Sequence, residues 1–261
     1  MIRPRIIPCL LIKDGGLVKT VQFENPKYVG DPINAVRIFN EKLVDELIVL
    51  DLDATVKNKN PDLKTIENLA TECCMPLCYG GGIKTVEQIC RIIELGVEKV
   101  SLSSAAIDNP ELVCKGAELV GNQSIVVTLD VKKTRKGYRV FTHNGRKNTK
   151  LDPVALVKDF QESGAGEIVI NSIDKDGIMK GYDLNLIEKI MDVIKIPITL
   201  VGGAGSLKDI GNLFEKFGLV GVCAGSLFVF KGVYRAVLIN YPNVAEKELL
   251  YSNYFNRDID Y

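Results

Sequence analysis

The stretch Glu46-Leu-Ile-Val-Leu-Asp-Leu-Asp53 returns as Glu167-Ile-Val-Ile-Asn-Ser-Ile-Asp174, with positions 46 and 167 standing 121 apart. Each copy is a short apolar run opened by a glutamate and closed by an aspartate. A run of four to eight such residues between polar ones reads as a strand buried on both faces, as in a parallel sheet. Two further pairs keep nearly the same spacing: Tyr79-Gly-Gly-Gly82 with Val201-Gly-Gly-Ala204, and Gly96-Val-Glu-Lys-Val-Ser-Leu-Ser-Ser104 with Gly218-Leu-Val-Gly-Val-Cys-Ala-Gly-Ser226. A general likeness among βα units explains the shared hydrophobicity but not the shared Glu and Asp. The spacing predicts a duplicated half-barrel.

Outward from these copies, apolar runs alternate with amphipathic stretches along the whole chain. Strands are expected near 5–12, 46–52, 76–80, 98–103, 124–131, 166–172, 197–201 and 219–224. Helical patterns lie near 33–43, 61–73, 85–95, 110–119, 153–163, 184–194, 207–216 and 231–240. Eight strand–helix units in 261 residues predict one α/β domain, a (β/α)₈ TIM barrel of two duplicated half-barrels, about 1–122 and 123–245, with a tail at 246–261. A doubly wound open sheet is the architectural alternative.

Lys plus Arg and Asp plus Glu each number 33, a balance that favours neither nucleic acid nor an acidic tail. No apolar run reaches the ~18 residues of a membrane span, and no signal-peptide core opens the chain. A cytoplasmic protein is expected, without membrane or nucleic-acid partners. Seven scattered cysteines, with Cys73, Cys74 and Cys78 the only cluster, and the single His143 predict packed, reduced thiols and no metal site. No cofactor is expected.

Gly80-Gly-Gly82 and Gly202-Gly203 each end a strand and lead into a helix. Glycine there lets backbone approach an anion while the helix N-terminus presents free N–H groups. Tight-turn glycines are the alternative. The expected phosphate-binding set is Gly81, Gly82, Ser103 and Ser104 on one side of the mouth, and Gly202, Gly203, Gly225 and Ser226 on the other. Asp176 and Gly177, after strand six, join it. A ligand with phosphate at each end suits two such cups. One asymmetry stands out: Ser124-Ile-Val-Val-Thr-Leu-Asp130 ends in a carboxylate, whereas Arg5-Ile-Ile-Pro-Cys-Leu-Leu11 carries leucine at the related position.

Several stretches carry a resemblance over essentially the full length. They are Arg5-Ile-Ile-Pro-Cys-Leu, Lys13-Asp-Gly15, Phe23-Glu-Asn25, Gly30-Asp-Pro32, Asp45-Glu-Leu, Leu50-Asp51, Gly80-Gly-Gly-Ile83 and Ala105-Ala106. To these add Val140-Phe-Thr142, Lys147-Asn-Thr149, Gly164-Ala-Gly-Glu167, Ser172-Ile-Asp-Lys-Asp-Gly177, Gly181-Tyr-Asp183 and Gly202-Gly-Ala-Gly205. The chain resembles the cyclase subunit of imidazole glycerol phosphate synthase. The resemblance implies a barrel that takes ammonia from a glutaminase subunit (a class I glutamine amidotransferase) at its bottom face. At the top face ammonia attacks a bisphosphate ribulosyl nucleotide, giving imidazole glycerol phosphate and an aminoimidazole carboxamide ribotide. It is a lyase-type cyclisation within an enzyme complex of the histidine-biosynthesis family.

The family's chemistry uses two carboxylates, at the ends of strands one and five. Asp130 matches the second and Leu11 replaces the first, with Asp51, Asp53 and Asp174 as candidate substitutes and Asp53 expected to point towards the mouth. Ser103, Asn171 and Val201 stand where the family implies asparagine, threonine and serine. Arg5, Glu46, Lys99 and Glu167 fill all four positions of the family's ammonia gate, a plain structural ion ring being the alternative. Lys13, Asp14 and Lys19 fall in or near the loop that in the family covers the substrate. His143-Asn144-Gly145 is expected at a hairpin tip over the top face, its His solvent-exposed. Tyr251, Tyr254, Phe255 and Tyr261 are expected either on the barrel's outer helices or on another protein.

Intact gate and lost carboxylate together suggest a divergent paralogue that serves acetamidino-sugar and surface-polysaccharide synthesis by feeding ammonia to a sugar amidotransferase. The alternatives are a genuine histidine-pathway cyclase with a relocated proton donor and a non-catalytic activator of a glutaminase.

Overall fold

In the computed structural model, residues 3–255 are described. Eight parallel strands form the frame: β1 Arg5–Lys13, β2 Leu47–Asp51, β3 Leu77–Gly80, β4 Lys99–Leu102, β5 Ile125–Thr134, β6 Glu167–Ser172, β7 Ile198–Val201 and β8 Gly221–Ala224. Each pairs with the next, and β8 pairs back onto β1 with Gly221 opposite Arg5. The sheet is therefore closed, a (β/α)₈ barrel and not an open doubly wound sheet. The outer helices are α1 Pro32–Glu41, α2 Leu63–Glu72, α3 Val86–Glu94, α4 Glu111–Val120, α5 Pro153–Glu162, α6 Leu184–Met191, α7 Leu207–Phe217 and α8 Val244–Tyr254.

Alternation along each strand sorts side chains between two cores. On β1, Ile6, Leu10 and Ile12 face the helices and join the large outer core with Phe39, Leu47 and Leu77. Ile7 and Cys9 face inward and meet Ile48, Cys78, Val126, Val169 and Cys223, with Leu11, Leu50 and Val201 packed above them. Helix starts carry their own stop-and-go chemistry. Asp31 accepts from the Asn34 amide before Pro32, and Thr85 and Asn243 form capping boxes with Gln88 and Glu246.

Two elements depart from the sequence reading. The segment after β1 is a β-hairpin, Gly16–Val21 with Glu24–Gly30, entered from β1 through Asp14 and Gly15 and turned at Gln22 and Phe23, all four at positive φ. The helix expected over 231–240 is absent. A short helix, Ser226–Val229, runs into a small hairpin, Phe230–Lys231 with Ala236–Val237, and α8 begins only at Val244. Gly232 at φ +73 bends the hairpin, and Pro242 lies just before the Asn243 cap. Much of the expected tail is thus helix: Tyr251 is buried against Phe214 and its hydroxyl donates to the Pro4 carbonyl. Tyr254 lies against Gly211 of α7. Tyr261 falls outside the described residues. No described helix is long and apolar enough to cross a membrane.

Candidate active site

At the N-terminal strand ends Arg5, Glu46, Lys99 and Glu167 meet in one ring. Arg5 pairs with Glu46 and, at 2.7 Å, with Glu167, while Lys99 reaches Glu46 at 2.8 Å and Glu167 at 2.9 Å. Thr199 on β7, fully buried, donates a further hydrogen bond to Glu167 at 2.5 Å. Burial opposes the charge on Glu167, but Arg5 and Lys99 outweigh it and hold its carboxyl down at about 2. The ring answers the requirement that buried charges be paired. Thr199 was not singled out in the sequence, although alternation along Ile198–Val201 places it inward.

Above the ring the lumen is lined by Ile7, Ile48, Val126 and Val169 and by the thiols of Cys9, Cys78 and Cys223. All seven cysteines are free, and among the described residues no group of metal-ligating side chains is assembled. One polar rung crosses the lumen, where Ser101 and Thr128 share a 2.7 Å hydroxyl contact.

The lumen opens at the C-terminal strand ends into a cavity of about 490 Å³. Its floor divides by strand: Leu11, Leu50 and Val201 form an apolar wall from β1, β2 and β7, and Asp130 and Asn171 stand side by side on β5 and β6. Asn171 Nδ2 donates to Asp130 at 2.9 Å. Burial nonetheless pushes the Asp130 carboxyl up to about 7, with the Asn171 hydrogen bond opposing and Asp176 assisting. A carboxyl that titrates near neutrality exchanges protons readily with a reacting group. Leu11, opposite, cannot.

The candidate substitutes for Leu11 are otherwise employed. Asp51 lines the cavity but caps the short helix Leu52–Val56, accepting from the Asp53 and Ala54 amides. Asp53 does not point into the mouth. It accepts from the Asp14 amide at 2.8 Å and pairs with Lys57 at 2.9 Å, latching the turn after β1 to the turn after β2. Burial raises its carboxyl, but Lys57 and the Asp14 amide outweigh this and leave it below its ordinary value. Asp174 likewise lies off the cavity and accepts from the Lys133 amide at 2.8 Å. The repeat alignment put Asp53 and Asp174 at equivalent places; both serve loop anchoring, because each strand bends into a helical turn before its aspartate.

Gly81 and Gly82 after β3, and Gly202 and Gly203 after β7, lie on opposite sides of the mouth, all at positive φ. A Cβ on Gly81 would fall 2.5 Å from the Asp51 carbonyl and one on Gly203 2.3 Å from the Gly181 carbonyl, so packing alone already demands glycine there. Ser103, Ser104, Gly225 and Ser226 line the same cavity. Ser104 Oγ is engaged by the His143 amide at 3.1 Å. Asp176 supplies no donor. It clamps the β1 hairpin by accepting from Thr20 Oγ1 at 2.8 Å and from the Phe23 amide at 3.1 Å, and the carbonyl of Gly177 accepts from Arg235.

Lys19 sits on a hairpin strand, not in a solvated loop. Its ammonium is buried and donates to the Cys9 carbonyl at the edge of the mouth, where burial lowers its pKa. His143 does occupy a turn over the top face, yet it is half-buried and lines the cavity, contrary to the exposed position expected.

This geometry can be set beside known proteins. A family described as "Histidine biosynthesis protein" matches residues 5–235. A Leptospira interrogans protein named "Putative imidazole glycerol phosphate synthase subunit HisF" is 56% identical over 253 residues, 96% of this chain and 100% of that protein. The chain belongs to the HisF family. A Vibrio vulnificus member, "Putative imidazole glycerol phosphate synthase subunit hisF3", is 58% identical over 95% of this chain and 96% of its own length. A Natranaerobius thermophilus member, "Imidazole glycerol phosphate synthase subunit HisF", is 42% identical over 92% and 96%. As a HisF-family barrel, the chain is of the imidazole glycerol phosphate synthase cyclase-subunit type. None of these names carries a role in sugar or polysaccharide synthesis.

Proposed function

We propose that the chain is the ammonia-receiving cyclase subunit of an imidazole glycerol phosphate synthase complex. Ammonia from a glutaminase partner on the bottom face enters through the ring of Arg5, Glu46, Lys99 and Glu167 and crosses the lumen. At the mouth it meets a bisphosphate ribulosyl nucleotide whose two phosphates rest at the turns of Gly81–Gly82 and Gly202–Gly203. The observation that carries this reading is the placement of Asp130. A half-buried carboxyl that desolvation raises to about 7 faces a cavity flanked on opposite sides by two glycine turns, above a lumen closed by four paired charges. The relatives' names, each a subunit of a synthase, support a partner.

Leu11 favours a second reading, in which cyclisation is weakened or redirected and ammonia passes to another acceptor, such as a sugar amidotransferase of acetamidino-sugar synthesis. Losing one acid–base group typically costs ~10²–10⁴ in rate. The deciding assay supplies the ribotide and ammonium salt to the purified protein and to Leu11→Asp. The cyclase reading expects slow turnover by the natural chain and a gain of about 10²-fold or more in the variant. Turnover by the natural chain in the ordinary range of about 1–10³ s⁻¹ would remove the argument for weakened chemistry. Silence from both proteins would remove the cyclase reading and leave the redirected one.

A further inference from the structure

Asn171 Oδ1 is the one buried side-chain polar atom without a hydrogen-bond partner among the described residues. The side chain is nine-tenths buried and lies in the wall of the mouth. Leaving such an acceptor unpaired is costly, and native structures rarely tolerate it without a purpose. The orphan oxygen has a definite direction. The Asn171 amide nitrogen is committed to Asp130 at 2.9 Å, and the oxygen turns to the neighbouring strand end, 3.4 Å from where a Cβ on Gly202 would stand. One carboxamide therefore spans the distance between the acid of the mouth and the glycine turn after β7.

We propose that Asn171 is a two-ended positioning residue that ties the proton on Asp130 to occupancy of the Gly202–Gly203 turn by an anion. The inference rests on the reading of that turn as a phosphate cup. The two ends of a carboxamide have the same shape and opposite hydrogen-bonding character. With Asp130 ionised, Nδ2 donates to the carboxylate and Oδ1 faces the turn, where a second acceptor is unwelcome to an anion. With Asp130 protonated, a half-rotation of the amide lets the carboxylic O–H donate to Oδ1. Nδ2 then points at the turn and donates to the anion alongside the backbone N–H groups. Filling the cup draws one proton from solvent onto Asp130, and by linkage the proton tightens the cup. A phosphorylated substrate thus arrives with the acid of the mouth loaded.

Other titrating groups surround the pair and have to be separated from it. Asp176 approaches from the loop after β6, Lys19 from the β1 hairpin, and the thiols of Cys9 and Cys223 from β1 and β8. Asp51, Lys84, Asp108 and His143 also line the mouth, and on the side of β4 next to Asp130 the strand end offers the hydroxyls of Ser101 and Ser103.

Sulfate is the probe, because it stays doubly charged across the working range and brings no titration of its own. Isothermal calorimetry between pH 6 and pH 8.5 reads affinity and proton uptake in buffers of different ionisation enthalpy. The natural chain is expected to bind sulfate about tenfold more tightly at pH 6 than at pH 8.5, with net proton uptake. Asn171→Leu, of similar size, is expected to reduce that dependence to about threefold or less. Asp130→Asn, whose amide imitates the protonated acid, is expected to bind tightly at every pH. Unchanged pH dependence in Asn171→Leu assigns the effect to Lys19 or Asp176 and overturns the proposal. So does an Asp130→Asn protein that keeps the dependence, a result available even if the leucine variant does not fold. Sulfate bound by the natural chain with no pH dependence also overturns it while leaving the cup intact. No sulfate binding at either pH removes the cup and the proposal with it.

Discussion

Asp130 carries a cost that can be measured without substrate. Its carboxyl is raised by burial to about 7, so the folded protein holds this proton more tightly than the unfolded chain does. The penalty is absent below the ordinary carboxylate range, grows as pH rises from about 4, and is complete above about 7. Asp130→Asn keeps the shape and removes the charge. It is expected to stabilise the protein by a few kcal/mol at pH 8, the gain shrinking to nothing near pH 4, as read by denaturant melts at the two pH values. A gain independent of pH would mean that burial of the charge is not the cause. At this scale the sequence was informative where alternation and strand ends decide direction, as for Leu11, Asp130 and the ring. It was uninformative for Asp53 and Asp174. One turn of helix after the strand rotates each carboxylate from the mouth to a neighbouring loop amide, and no periodicity records that rotation.

Among elements, the β1 hairpin pairs with β1 through Leu11–Lys13 and buries Leu17 and Val18, while its turn end is held to the loop after β6 by polar contacts. The carbonyl of Asp176 accepts from the Gln22 amide at 3.0 Å, and its carboxylate takes Thr20 Oγ1 and the Phe23 amide. Removing one donor from a half-buried carboxylate typically costs about 1–3 kcal/mol. Thr20→Val, nearly isosteric and well suited to a strand, is expected to loosen this hairpin alone. Hydrogen exchange should quicken over 16–30 while the amides of β4 to β6 keep their protection. Equal quickening throughout would show that the clamp supports the whole barrel. The hairpin also marks where element prediction stopped. Gly16-Leu-Val-Lys-Thr-Val21 is a good strand pattern, but βα units rarely place a second strand before the helix, so the unit pattern predicts a loop there. The reverse error occurred at 231–240, where apolar spacing imitates a helix and Gly232 and Pro242 carried the contrary signal. Barrel strands and seven outer helices were legible because each has to bury a continuous face, a constraint that periodicity expresses directly.

Across the whole molecule, the paired ring and the acid of the mouth lie at opposite ends of one lumen, and this separation makes the ammonia route testable. Lys99 touches both glutamates of the ring and no group at the mouth. A substitution there should alter entry without altering chemistry. Lys99→Met keeps the stem and removes the charge. It leaves Glu46 and Glu167 with Arg5 as their one cation and is expected to destabilise the fold by about 3–5 kcal/mol, the usual cost of breaking a buried ion pair. Lys99→Trp fills the opening in addition. With a glutaminase partner present, the Trp variant should lose about tenfold or more of glutamine-driven turnover relative to ammonium-driven turnover, whereas the Met variant keeps that ratio. The ratio is the useful quantity, because destabilisation lowers both activities together and cancels from it. An unchanged ratio in the Trp variant would mean that ammonia reaches the mouth from outside the barrel, and the ring would then be a structural plug.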